Sequence, residues 1–234
     1  QVAFNSKFPT SSESEELSDV YAPFNFEKNK DNKKTHTIRY VDAIKEALYQ
    51  SMEVDKTIIL MGQDIAEYGG VFKVSEGFVE KFGKDRVRNT PIIESGIIGA
   101  SLGLTLEGFK PIVEMQFADF ITCGLNQVIN NLAKTYYRWG HSVNVTIRMP
   151  TGGGVNAGPF HSQNLESLFM HIPGLKIIYP SSPYDAKGLL TAAINDSNPV
   201  LFFEHKLLYR TQKEEIPKDL YSLEIGKAKI IKEG

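Results

Sequence analysis

The chain has 234 residues, 41% of them apolar and 11% aromatic, enough to bury one substantial core with a small piece attached. Its net charge of −2, with no gathered basic stripe, excludes an electrostatic footprint for nucleic acid. No run nears the roughly eighteen apolar residues of a membrane span, the start lacks a secretory pattern, and the single cysteine, Cys123, has no partner for an internal disulfide. A soluble protein of a reducing compartment is expected.

Residues 1–36 carry Ser11, Ser12, Glu13, Ser14, Glu15 and Glu16, then the run Lys28-Asn-Lys-Asp-Asn-Lys-Lys34. Such a stretch buries too little apolar surface to offset its chain entropy, so it reads as a polar linker or disordered tether. Tyr21, Phe24 and Phe26 are its means of docking on a neighbour. From Arg39 the period becomes helical, with Val41, Ile44, Leu48 and Met52 on one face. Thr57-Ile-Ile-Leu-Met61 reads as a short buried strand, followed by a loop over 62–70 and a helix over about 75–82 that stops at Gly83.

Thr90-Pro-Ile-Ile-Glu94 leads, extended, into a helix that begins at Glu94 and ends near Gly108. In it Gly96, Gly99, Ala100 and Gly103 mix with Ile97, Ile98, Leu102 and Leu104, the pattern of a buried helix that another backbone approaches closely. A strand over 110–116 comes next, then a helix over about 119–137 with Leu125, Val128, Ile129, Leu132 and Tyr136 on one face. A strand over 143–149, a glycine-rich stretch over 151–158 and a strand over 175–179 follow. Ser182, Pro183 and Asp185 then supply an N-cap, a proline in the first turn and an early acid for a helix to about Asn195. Residues 199–204 form the last strand. After Pro217 the pattern resembles the first strand of another domain.

Apolar strands without clean alternation, separated by helices, imply a parallel sheet covered on both faces, an α/β fold. Ligands of such open sheets sit beyond the carboxyl ends of strands, so the loops holding Glu94, Gln116 and residues 152–158 are where a site belongs. Glu94 has two readings: a helix-start acid that satisfies free N–H groups and the dipole, or a carboxylate held against a ligand. Asp119 reads as the N-cap of its helix, and Phe120 as core or as a stacking face for a ring. His161, beside Ser162 and Gln163, reads as a structural ring or as a general acid or base.

Other chemistries fail on context. Gly152, Gly154 and Ala157 match a dinucleotide fingerprint in spacing, but Gly158-Pro159-Phe160-His161 follows instead of a long helix. No glycine-rich stretch ends in Gly-Lys-Ser/Thr, the histidines lack paired metal-ligand spacing, and adjacent His161 and Ser162 cannot adopt triad geometry.

Several stretches, in order and at matching separations, resemble one family: Gly69-Gly-Val-Phe-Lys73, Asn89-Thr-Pro-Ile-Ile-Glu94, Glu114-Met-Gln-Phe-Ala-Asp-Phe120, Asn126-Gln-Val-Ile-Asn130, His161-Ser-Gln163, Pro173-Gly-Leu-Lys176 and Asn198-Pro199. The family is the beta chain of thiamine-diphosphate-dependent 2-oxo acid dehydrogenases, the decarboxylating component of the pyruvate and branched-chain complexes. The resemblance implies a transketolase-like pyrimidine-binding domain over 37–217, with 218–234 as linker and start of a C-terminal transketolase-type domain.

It implies that Glu94 hydrogen-bonds the ring nitrogen of the cofactor's aminopyrimidine, favouring the imino tautomer that deprotonates the thiazolium carbon. Phe120 would stack on the pyrimidine and Gln116 line the cleft. His161 would assist the decarboxylated intermediate or its transfer to a lipoyl arm. Branched-chain members often carry tyrosine at the position of Phe120; phenylalanine keeps the face and lacks the hydroxyl. Asp196 and Asn198 match a loop pair that, in some members, holds a structural K⁺ with backbone carbonyls.

The family's Gly-Asp-Gly motif for diphosphate and Mg²⁺ is absent here and belongs to an alpha chain or domain. The expected partners are therefore that alpha part, a second beta copy in a heterotetramer, and a lipoyl acyltransferase, and this chain alone is expected to be inactive. The long start suggests a tether within a fused alpha–beta polypeptide. Gly69-Gly-Val-Phe and Gln116-Phe-Ala-Asp lean towards a branched-chain substrate over the pyruvate or acetoin type. A non-catalytic assembly module of the same fold is the alternative of another class, and transketolase or deoxyxylulose-phosphate synthase chains match poorly. The expected location is the bacterial cytoplasm or, in a eukaryote, the mitochondrial matrix.

Overall fold

A computed structural model describes residues 1–26, 34–230 and 232–233, so most of the basic run at 28–33 lies outside the described residues. The first elements are α1 (Val2–Asn5) and α2 (Glu13–Ser18), the latter closed by a capping box between Ser12 and Glu15. The chain then meets the body of the protein: the Tyr21 hydroxyl donates to the Leu175 carbonyl at 3.2 Å, and Ala22 is buried.

The body is built on six parallel strands: β2 (Ile58–Gly62), β3 (Val87–Asn89), β4 (Lys110–Glu114), β5 (Thr146–Thr151), β6 (Lys176–Ile178) and β7 (Val200–His205), in the order β3-β2-β4-β5-β7-β6. Strands β2 and β5 are buried along their whole length, β2 as an unbroken apolar run and β5 with its polar Thr146, Arg148 and Thr151 buried as well. Alternate residues feed two cores. Ile58, Leu60, Ile112 and Phe202 join the first, against α3 (Tyr40–Val54), α4 (Phe78–Phe82) and α7 (Pro183–Asn195). Met61, Val113, Ile147 and Phe203 join the second, against α5 (Glu94–Leu106), the segment after β4, and α6 (Ala133–Trp139). The Ser182 hydroxyl accepts the Asp185 N–H at 3.1 Å, so α7 opens on the cap its sequence supplies.

Several elements differ from expectation. A separate antiparallel pair, β1 (Thr35–Arg39) with β8 (Lys213–Pro217), begins inside the expected tether; its polar residues and distant partner hide it from a local pattern. A short helix, α8 (Leu208–Thr211), precedes β8. Helix α4 is shorter than expected, because Gly77 at φ +84° interrupts the approach to it. The expected helix over 119–137 is a 3₁₀ segment (Ala118–Gly124), a π-helical segment (Gln127–Leu132) and then α6. Close packing accompanies the irregular start: a side chain at Gly124 would collide with Ile98 of α5.

Helix α5 buries Ile97, Ile98 and Ser101, whereas Gly96, Ala100 and Gly103 are exposed, so its small-residue face is free in this chain. Beyond β8 the described residues form no helix or strand and pack back on α7. The Lys187 ammonium donates to the carbonyls of Pro217 and Lys218, and Tyr221 stacks on Tyr184 at 5.0 Å. No helix among the described residues is long and apolar enough to cross a membrane.

Candidate functional site

Strands β2, β4, β5 and β7 end on one edge at Gly62, Glu114, Thr151 and His205, and the loops leaving them meet there. After β2 the turn at Gln63 and Asp64 reaches two neighbours. The buried Gln63 amide donates to Glu94 Oε1 at 3.3 Å, and Asp64 Oδ2 accepts from Gln116 Nε2 at 3.3 Å. Thr90 N–H donates to the Gly62 carbonyl at 2.9 Å, tying the approach to α5 to the end of the same strand. Glu94 and Gln116 are thereby joined through one turn. Gln63 was not singled out by sequence; its signal is an amide directly after a fully apolar strand.

Glu94 is the first residue of α5 and half-buried. Its carboxylate accepts no N–H of its own helix among the described residues; it takes the Gln63 amide instead and leaves Oε2 without a partner. The helix N-terminus still favours negative charge there. Gly124, in the segment that carries Phe120, lies against the Glu94 backbone carbonyl.

Phe120 and His161 come together in a group of three rings. The Phe120 and His161 centroids lie 5.5 Å apart, Phe117 and His161 4.8 Å apart, and Phe117 and Phe120 6.0 Å apart, each pair nearly perpendicular. Phe120 is half-buried, so part of its ring stays open to solvent.

Asp119 corrects its N-cap reading. The cap position is Phe117, and the buried Asp119 carboxylate reaches across to the loop after β5: Oδ1 accepts the Gln163 N–H at 3.2 Å and its Nε2 at 3.0 Å. A partner 44 residues away displaces the local cap.

Below these loops lies a charged cluster that the sequence reading missed. Arg148 is fully buried; it donates to Glu114 Oε2 at 2.6 Å and to both oxygens of Glu204, at 2.7 and 2.9 Å. The Tyr209 hydroxyl adds a bond to Glu204 at 2.7 Å. Burial pushes the Glu114 pKa up; the Arg148 charge opposes this and the Glu204 charge adds to it. The signal was present: Glu114, Arg148 and Glu204 each put a charge beside apolar strand residues.

Asp196 and Asn198 lie elsewhere, before β7 and therefore at the amino end of the sheet. Asp196 Oδ2 accepts from Lys176 Nζ at 2.6 Å, and its Oδ1 accepts from the Asn198 N–H and side-chain amide, both at 2.9 Å. Asn198 in turn accepts the Ala22 N–H at 2.7 Å and donates to the Ala22 carbonyl at 3.0 Å. In this structure these oxygens face the Lys176 ammonium and the N–H donors of Asn198 and Ala22, and a structural K⁺ held here with backbone carbonyls stays a proposal. Among the described residues no group of three or more His, Cys, Asp or Glu side chains could hold a metal ion.

What the strand-end cluster does fit is a flat heteroaromatic ring with a basic nitrogen. Glu94 Oε2 has no partner among the described residues, and Phe120 offers a half-open face on the adjoining segment. Residues 36–212 match the family described as transketolase, pyrimidine binding domain.

The chain belongs to this family.

Among members of known name, it is 50% identical over 197 residues to 2-oxoisovalerate dehydrogenase subunit beta of Bacillus subtilis (strain 168), covering 83% of this chain and 60% of the relative. It is 46% identical over 199 residues to pyruvate dehydrogenase E1 component subunit beta of Acholeplasma laidlawii, covering 84% and 61%. The chain thus spans about three fifths of the length of these relatives. A solved structure, a split-gene transketolase described as an inactive beta4 tetramer, superposes with a TM-score of 0.58 at 20% identity, over 71% of this chain and 50% of that one. That likeness shows the pyrimidine-domain fold alone.

Proposed function

We propose that this chain supplies the pyrimidine-binding half of a thiamine-diphosphate-dependent 2-oxo acid dehydrogenase, the component that decarboxylates a 2-oxo acid and passes the acyl group to a lipoyl partner. The observation that carries the reading is Glu94: a carboxylate at a helix start, held by Gln63 and not by its own helix, with one oxygen unpartnered among the described residues. When bound, thiamine diphosphate supplies the nucleophilic carbon and electron sink that decarboxylation needs. Glu94 would hold a proton at the pyrimidine ring nitrogen, Phe120 would take the ring on its face, and Gln116 would line the cleft. His161 would hold or move a proton near the reacting carbon.

Diphosphate and Mg²⁺ would be held by an alpha partner. The exposed face of Gly96, Ala100 and Gly103 on α5 is a surface a partner backbone can approach closely, and a second beta copy and a lipoyl acyltransferase complete the proposed assembly. The branched-chain substrate is favoured by the 50% identity to the 2-oxoisovalerate relative; the 46% identity to a pyruvate relative supports pyruvate as the second reading. The test is to assemble the full-length protein with its alpha partner and assay 2-oxoisovalerate and pyruvate with thiamine diphosphate. Faster decarboxylation of the branched acid is expected; a preference for pyruvate supports the second reading, and no turnover of any 2-oxo acid removes both.

A further inference from the structure

We infer that Asp119 and Lys206 are positioning residues: two buried, opposite charges that clamp the segment 161–163 at its two ends and thereby aim the His161 imidazole at the cleft. The imidazole has no hydrogen-bond partner among the described residues, so its direction is set by its backbone and by the rings around it. That backbone follows directly on a glycine-rich loop that is exposed over 154–160, so its direction is fixed by contacts beyond the loop itself.

Each end of the segment meets one charge. At its start the Lys206 ammonium donates to the His161 carbonyl at 2.9 Å. At its end Asp119 Oδ1 takes both the N–H and the side-chain amide of Gln163, while Thr151 Oγ1 and the Gly152 N–H hold the Gln163 carbonyl at 2.9 and 3.0 Å. Asp119 is 5% and Lys206 3% exposed, and they form no direct ion pair among the described residues. Burying two unpaired charges is costly unless each is spent on polar partners. Here the partners are the carbonyl and amides of the loop, bound through charge-assisted hydrogen bonds. Phe117 links the two halves: Lys206 Nζ lies 5.2 Å from its ring centre, and its edge meets His161. Asp119 Oδ2 is buried with no partner among the described residues.

The catalytic consequence rests on the proton-handling role proposed for His161; the loop geometry does not. The test uses Asp119→Asn and Lys206→Met in the protein assembled with its alpha partner, each alone and combined with His161→Ala, and Lys206→Arg as the variant that keeps the donor. In the cofactor-free assembly, amide exchange at 158–163 should rise about tenfold or more in Asp119→Asn and Lys206→Met, with the central strands still protected and Lys206→Arg near normal. In the loaded enzyme, kcat should fall about tenfold with KM for the 2-oxo acid nearly unchanged, and no further loss should appear in the His161→Ala background. Unchanged exchange at 158–163 would overturn the clamp, whatever the activity. Losses that multiply with His161→Ala would overturn its action through His161.

Discussion

Two polar clusters sit at opposite ends of the same sheet, and they differ in whether their hydrogen-bonding capacity is used up. At the amino end one aspartate meets one ammonium, and Asn198 spends its side chain on Asp196 and Ala22. That cluster is complete. At the carboxyl end, among the described residues, Glu94 takes a single amide at 3.3 Å, Asp119 Oδ2 has no partner, and two carboxylates share the one guanidinium of Arg148. Buried polar groups are ordinarily satisfied, and the exceptions gather where a protein keeps acceptors for a ligand. Both clusters look alike as a list of polar residues in loops. Of these two clusters, the one at the edge to which a parallel sheet directs its ligands keeps acceptors to spare among the described residues.

The comparison breaks first at Glu94. In the assembled enzyme Glu94→Gln should lower turnover by about two orders of magnitude or more, roughly 3 kcal/mol in the barrier, with the melting temperature unchanged. Near-normal turnover would place Glu94 among the merely structural acids. The amino end should show the reverse. Asp196→Ala strands the Asn198 donors and Lys176, costing about 2 kcal/mol and roughly 5 °C in melting temperature, while turnover per folded molecule is kept. Replacing K⁺ by Na⁺ tests the proposed cation site: a clear K⁺-specific rise in the wild-type melting temperature would support it, and an unmoved melting temperature would remove it.

Gln63→Leu removes the one described donor to Glu94 and should lower turnover about tenfold, a smaller loss than Glu94→Gln. The smallest effect concerns the excess charge of the Arg148 cluster. Burial raises the Glu114 pKa in the folded state, so the folded chain holds that proton after the unfolded chain has released it. Stability from this group is present at low pH and lost as pH rises through the raised folded pKa. Denaturant titrations from about pH 4 to pH 7 should therefore show wild type losing stability relative to Glu114→Gln. A gap that widens in the opposite direction would mean that Arg148 overcomes the burial of Glu114.

The chain order alone determines the α/β class and the edge on which a site belongs, because continuous apolar strands and helix signals such as Ser182-Pro183-Asp185 are local and mutually consistent. It also names Glu94, Gln116, Phe120 and His161, which the fold collects at that edge. What it does not contain is the partner of each polar group. Asp119 abandons its own helix for Gln163, Glu94 for Gln63, and Asp196 takes an ammonium from another strand, since a buried charge is decided by whatever dipole the tertiary fold brings nearest. The β1–β8 pair and the exposed small-residue face of α5 have the same origin: both depend on neighbours far away in the chain or outside it. Local pattern specifies elements and their ends; only packing assigns the bonds that separate a satisfied loop from a site.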